Sequence, residues 1–163
     1  ALLASWPWDW IRRADSPKSE LRLRCGNGEQ LARLDAFAVW MGRHARAVHD
    51  VSAGLEPWQF YGPSTRQGNR VHLFLVLRPQ ESVTVRGVHV RRVRAVQVMA
   101  TGQALSFATR AGVIEQLMPD PEGELVITVP EDALDPMVTV ITVEFADAPL
   151  DRPVLGRWGP QSL

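Results

Sequence analysis

One cysteine, Cys25, stands in 163 residues. A lone thiol excludes an internal disulfide framework and a multi-cysteine metal site. Charge of one sign is missing as well. Lysine plus arginine is 18 and aspartate plus glutamate is 18, so the formal net charge is zero. A nucleic-acid partner is therefore not expected, because its footprint needs a basic excess on one face. No apolar run reaches the ~18 residues that signal a membrane span, so no membrane partner is expected either. The four histidines, His44, His49, His72 and His89, form no H-x-H or H-x-x-x-H pair, and the expectation is no metal. Nor does the pattern call for a cofactor: "GNG" (Gly26–Gly28) lacks the strand–glycine–helix context of a phosphate loop. The opening "ALLASWPWDW" has neither a starting methionine nor a cationic n-region, and its apolar run is too short for a signal peptide. The chain thus reads as a fragment. Its compartment is not readable beyond that missing leader, which tips the expectation toward the cytoplasm.

What is present is ordinary globular material, 45% hydrophobic and 22% charged, enough to bury one core. Residues 1–28 are irregular, with three tryptophans around Pro7 and a turn at "CGNGE". Residues 29–50 read as an amphipathic helix whose stripe is Leu31, Leu34, Phe37, Ala38, Met41, Ala45 and Val48. His44 and His49 are expected to be exposed at its end, where they favour the helix dipole. Gly54 and Pro57 forbid continuation, and from there the apolar period falls from 3.6 to 2. Short β-branched runs follow at 71–77, 82–85, 94–100, 105–109, 124–129 and 138–146, separated by turn pairs such as Gly68-Asn69. Residues 58–61 and 113–117 are candidates for two more strands. Short strands with no helices between them predict a mainly β fold: an antiparallel β-sandwich of about eight strands, spanning 56–147, preceded by one helix. The tail, 148–163, with its prolines and glycines, is expected to be loose.

No residue pattern in the chain calls for a catalytic role. A glycosidase needs two carboxylates facing each other across a cleft. The acids here, Asp120, Glu122, Glu124, Glu131, Asp132 and Asp135, cluster in connections rich in proline and glycine, where acids serve turns. Ser64 and Ser106 have no nucleophile elbow around them, and Cys25 lies in the irregular stretch. Arg86, Arg91, Arg92 and Arg94 alternate with valines and read as the wet face of a strand. The one suggestive group is "PWQFY" (Pro57–Tyr61). Trp58 and Tyr61 are the weak candidates for binding substrate, on an aromatic platform for sugar. The competing reading makes the group a seal: Trp58 and Phe60 share one face of a strand and pack between helix and sheet, and Tyr61 keeps its hydroxyl wet.

At "LARLDAFAVWMGRHARAVHDVSAGLEPWQFYGPSTRQGNRVHLFLVLRP" the sequence resembles the segment of α-L-fucosidases, glycoside hydrolase family 29, that leaves the catalytic barrel and enters the C-terminal domain. The family's last barrel helix typically reads L-x-x-I-G-x-W-L-x-x-N-G-E-A-I-Y; Leu34, Trp40, Met41, His44, Ala47 and Val48 occupy corresponding places. Further on, "VTVRGVHVRRV", "LSFATRAGVIEQLMPDPEGELVITVPE" and "DPMVTVITVEF" look like its C-terminal β-sandwich, so the likeness runs from about Leu31 to Ala146. The resemblance implies a fragment of a retaining glycoside hydrolase that acts on α-L-fucosidic bonds. Its aspartate nucleophile and acid/base carboxylate would lie in the barrel upstream, so no catalytic residue carries over to this chain. The implied partners are that barrel, in the same parent chain, and through it a fucosylated glycan. This piece would brace the barrel. Residues 1–30 depart from the family's N-L-L-L-N-x-x-P-x-x-D-G pattern and show "SELRLRCGNGEQ" there. The alternative is a free-standing sandwich module that binds carbohydrate or a protein partner.

Overall fold

A computed structural model of the chain describes residues 28–146, and the side chains of residues 32–146. The expectations for residues 1–27, Cys25 included, and for the tail from 147 onward lie outside the described residues.

Helix α1, Gly28–His44, runs into a 3-10 turn at Ala45–Ala47. Eight strands follow: β1 Ser52–Ala53, β2 Ser64–Gln67, β3 Arg70–Leu75, β4 Ser82–His89, β5 Val93–Val98, β6 Phe107–Arg110, β7 Glu122–Thr128 and β8 Thr139–Phe145. They form two antiparallel sheets, one of five strands in the order β1-β2-β3-β8-β5 and one of three in the order β4-β7-β6. A sandwich preceded by one helix is what the change of period predicts.

The period-2 alternation sorts the side chains into two cores. Val71, Leu73 and Leu75 of β3 and Ile141, Val143 and Phe145 of β8 point inward, where they meet Val83, Val85, Leu125 and Ile127 of the smaller sheet. Phe74 of β3 and Val140 of β8 point the other way, and Trp40, Ala47 and Val48 cover them. The layers therefore run helix, five-stranded sheet, three-stranded sheet. Because both faces of β3 and β8 are covered, these strands are buried almost throughout and read as continuous apolar runs.

Turn chemistry sets the register. β2 and β3 pair Gln67 with Arg70 across Gly68-Asn69, and Gly68 sits at φ +57°, the first central position of a two-residue hairpin turn that glycine occupies without strain. Two expected strands fail. Residues 57–59 are a turn, and Glu115–Leu117 is a 3-10 turn. The strands that complete the count of eight are the short β1 and the polar β2, "STRQ", which has no apolar alternation to announce it.

Candidate functional site

The "PWQFY" group folds differently from both readings of its alternation. As a turn rather than a strand, it buries consecutive residues. Gln59 and Phe60 are buried while Trp58 and Tyr61 are each 51% exposed. Phe60 belongs to the core between the two sheets, not to the seam with the helix. The Gln59 side chain is the fastening: its Nε2 donates to the Gly87 carbonyl at 3.1 Å, its Oε1 accepts from the Glu56 amide at 3.1 Å, and its own carbonyl accepts from the Arg86 amide at 2.9 Å. Trp58 then lies over a bulge in β4 between Arg86 and Val88. Gly87 adopts φ +60° there, and a Cβ on it would come 2.5 Å from the Trp58 Cη2. The bulge glycine makes room for the indole. Tyr61 tilts against Phe60 at 4.7 Å, with its hydroxyl donating to the Leu77 carbonyl at 3.5 Å. Burial pushes the phenol's pKa above its usual value.

The residue that seals helix to sheet is Trp40. It is fully buried, and its indole N–H donates to the Val138 carbonyl at 2.8 Å. Phe37 and His44 stack with it at 6.1 and 4.5 Å, and Phe74 of the sheet meets it at 6.4 Å. Along the helix stripe Leu34, Phe37 and Met41 are half-buried, and Trp40 beside them is covered. His44 is corrected. It is buried rather than exposed, its Nδ1 donates to the Trp40 carbonyl at 2.8 Å, and burial lowers its pKa, so it offers no cation to the helix dipole. A residue four positions after an anchor lies on the anchor's face, which is what takes His44 inward.

Asp120, Glu131, Asp132 and Asp135 occupy connections, as their neighbours suggest, but Glu122 and Glu124 are corrected: they lie on strand β7. Asp120 lies 3.1 Å from His89 Nδ1, which has no hydrogen-bond partner among the described residues, and pairs with Arg92. Glu124 meets Arg86 at 3.2 Å, and Glu131 pairs with Arg78. Asp135 turns its Oδ1 back onto the Met137 and Val138 amides, with Arg43 3.7 Å from its Oδ2. Glu122 and Asp132 are exposed. Ser64 Oγ accepts from the Leu55 amide at 2.7 Å, and Ser106 is exposed. Of the arginines read as a strand's wet face, Arg86 and Arg94 lie on strands, whereas Arg91 and Arg92 lie on a 3-10 turn, where Arg91 donates to the Pro119 carbonyl at 3.0 Å. Among the described residues, no group of three or more His, Cys, Asp and Glu side chains could hold a metal ion, and no helix is long and apolar enough to cross a membrane.

A cavity of about 380 Å³ opens where β3 ends and β8 begins, lined by Arg78, Glu131, Leu134, Asp135, Met137 and Thr139 among others. Its volume falls in the range of small-ligand sites. Sequence reasoning missed it, because its wall is assembled from two connections about 55 residues apart that only the β3–β8 pairing joins.

No protein-family model matches the chain, and no curated protein matches its sequence. Solved structures do match. α-L-fucosidase isoenzyme 1 from Paenibacillus thiaminolyticus superposes with a TM-score of 0.58 at 20% identity, over 74% of this chain and 28% of that one. The fold is that of part of an α-L-fucosidase. A GH29 α-L-fucosidase from Bacteroides thetaiotaomicron, trapped as a covalent intermediate, gives 0.52 at 20% identity over 73% of this chain and 25% of that one. A bacterial fucosidase with a triazole-bearing pyrrolidine inhibitor gives 0.51 at 20% identity, over 84% of this chain and 27% of that one. The chain therefore spans about a quarter of the length of the solved α-L-fucosidases it matches.

Proposed function

We propose that the chain is a non-catalytic part of an α-L-fucosidase-like glycoside hydrolase, with α1 as the last helix of a catalytic barrel and residues 56–147 as the C-terminal β-sandwich that braces it. The parent enzyme would hydrolyse α-L-fucosidic bonds with two carboxylates that lie outside this chain. The observation that carries the reading is the match of nearly three-quarters of this chain to about a quarter of an α-L-fucosidase.

The helix supports it independently. One face of α1 is sealed to the sheet through Trp40, yet a second face carries an apolar patch, which ends at Arg43. Ala32, Ala36 and Val39, spaced by four and three, are all exposed, Val39 by 60%. A helix with apolar residues on two faces belongs between two partners, and a barrel would supply the second. Expression of the reading frame extended upstream of Ala1 tests this. The extended protein should hydrolyse an aryl α-L-fucoside, and the 163-residue chain should give no turnover above buffer. Turnover by the chain alone, lost on substitution of Glu122 or Asp132, would overturn the proposal.

One observation favours a second reading, a sugar-binding module: Trp58 and Tyr61 leave half their surface to solvent within one turn. Rings of this kind can stack on the apolar face of a sugar. Fucose-dependent quenching of tryptophan fluorescence that disappears in Trp58→Phe would select it.

A further inference from the structure

The layer order leaves one apolar surface far from α1. β6 is an edge of the three-stranded sheet, with the five-stranded sheet between it and the helix. The connection that follows β6 has its polarity turned around. Val113, Ile114 and Leu117 are 82, 76 and 85% exposed, and Met118 is half exposed. The polar side chains serve the loop itself: Gln116 Nε2 donates to the Ala111 carbonyl at 3.0 Å, and the Glu115 carboxylate folds against Gly112. Backbone bonds from Gln116 to Gly112, from Leu117 to Ile114 and from Met118 to Glu115 hold this shape. Aliphatic side chains so placed expose on the order of several hundred Å², the limit of what a monomer leaves bare.

Beside this surface is the point where the chain leaves the sandwich, and the turn at Val90–Arg92 holds both. On one side of the turn the Ala146 amide donates to the Arg92 carbonyl at 2.7 Å, directly after β8 ends. On the other, the Val90 amide donates to the Pro121 carbonyl at 3.2 Å, Arg91 donates to the Pro119 carbonyl at 3.0 Å, and Arg92 pairs with Asp120. We propose that the cover comes from this chain itself: Leu150, Val154, Leu155 and Trp158 of "LDRPVLGRW" (Leu150–Trp158) seat on the outward face of the 113–118 turn. The reach is short. Four extended residues span about 13 Å, and Leu150 is the fourth residue after Ala146. Charge suits the path as well. Arg91 spends its guanidinium on a neutral carbonyl and has no carboxylate partner among the described residues, while Asp147 and Asp151 flank Leu150 and carry the opposite sign past it. Pro149 and Pro153 lack the N–H that pairing along the β6 edge requires, so side chains make the contact and no strand is added. Residues 1–27 are the worse fit, because they join the chain at α1, on the far side of the five-stranded sheet.

Brief digestion of the 163-residue chain with trypsin, read by mass spectrometry, tests the contact. Within 147–163 trypsin cuts after Arg157, since Arg152 is followed by proline. A seated segment is cut only when it lifts off. Leu117→Glu and Ile114→Glu should therefore each speed the cut after Arg157 at least about tenfold. Sites inside the sandwich should be cut no faster, because both substituted side chains are outside the core. Val39→Glu, on the helix, should leave the Arg157 rate as it was. Equal rates at Arg157 in the unsubstituted chain and in Leu117→Glu overturn the proposal. So does protection that grows with chain concentration, which assigns the cover to a second copy.

Discussion

His72 is a titratable group held on the helix side of β3, where a charge has no place. Its Nδ1 lies 3.0 Å from Thr142 Oγ1, and its Nε2 is buried without a hydrogen-bond partner. The tautomer that donates from Nδ1 leaves Nε2 as an unpaired acceptor rather than an unpaired donor, and protonation would add a second buried N–H with nothing to receive it. Burial, with a smaller push from Arg70, lowers its pKa from 6.5 to about 4. In the unfolded chain the imidazole titrates near its ordinary value, so between the two values the unfolded state binds more protons. Stability is then fully present above pH ~6.5 and falls as the pH drops toward ~4, by roughly 3 kcal/mol over the window. His44, whose pKa burial also lowers, acts in the same direction. Urea unfolding of the wild type and His72→Gln across this range should show a flatter slope in the variant. Equal slopes would mean that the imidazole is not held neutral in the native state.

At the scale of elements, the attachment of α1 to the sheet concentrates on one side chain. Removing the Trp40 ring by Trp40→Ala opens the stack with Phe37, His44 and Phe74 and strands the Val138 carbonyl. It should cost ~3–5 kcal/mol, as large truncations in a core do. Trp58→Ala, at a half-exposed ring, should cost far less, of the order of 1 kcal/mol. Parallel melts of the two variants check this, and equal losses would contradict the assignment of the seal to Trp40. The contrast also shows how much of the structure was legible. The helix, six strands and the sandwich were readable because each carries a hydrophobic period over several residues. The turn at 57–59 was not. Its aromatic residues carry high β propensity, and it is the Gln59 hydrogen bonds to the β4 bulge, a contact 28 residues distant, that override it. That turn leaves Trp58 half exposed, while Trp40 is covered through the separate contacts with Phe74 and the Val138 carbonyl. The cavity at the end of β3 depended on strand pairing in the same way, so neither the seal nor the cavity could be found by scanning the chain locally.

On the scale of the whole molecule, the helix has to be read from both of its sides. Within the described residues Val39 faces solvent, so Val39→Glu in the 163-residue chain should change stability by no more than about 0.5 kcal/mol, the usual range for surface positions. If α1 is the last helix of a barrel, the same residue is in a core once the upstream chain is present. A glutamate there is a buried carboxylate, which must either lose its proton-free form or keep water beside it. The same substitution should then cost about 2 kcal/mol or more in the extended protein, and aryl α-L-fucoside hydrolysis should be lost at a lower temperature than in the extended wild type. Thermal denaturation of the four proteins, short and extended, each with and without the substitution, isolates this dependence as a coupling between one side chain and a domain. A small effect in both lengths would place the apolar stripe of Ala32, Ala36 and Val39 in solvent throughout. In that case the partner of the helix is something other than a barrel, and the bracing role fails even though the fold resemblance stands.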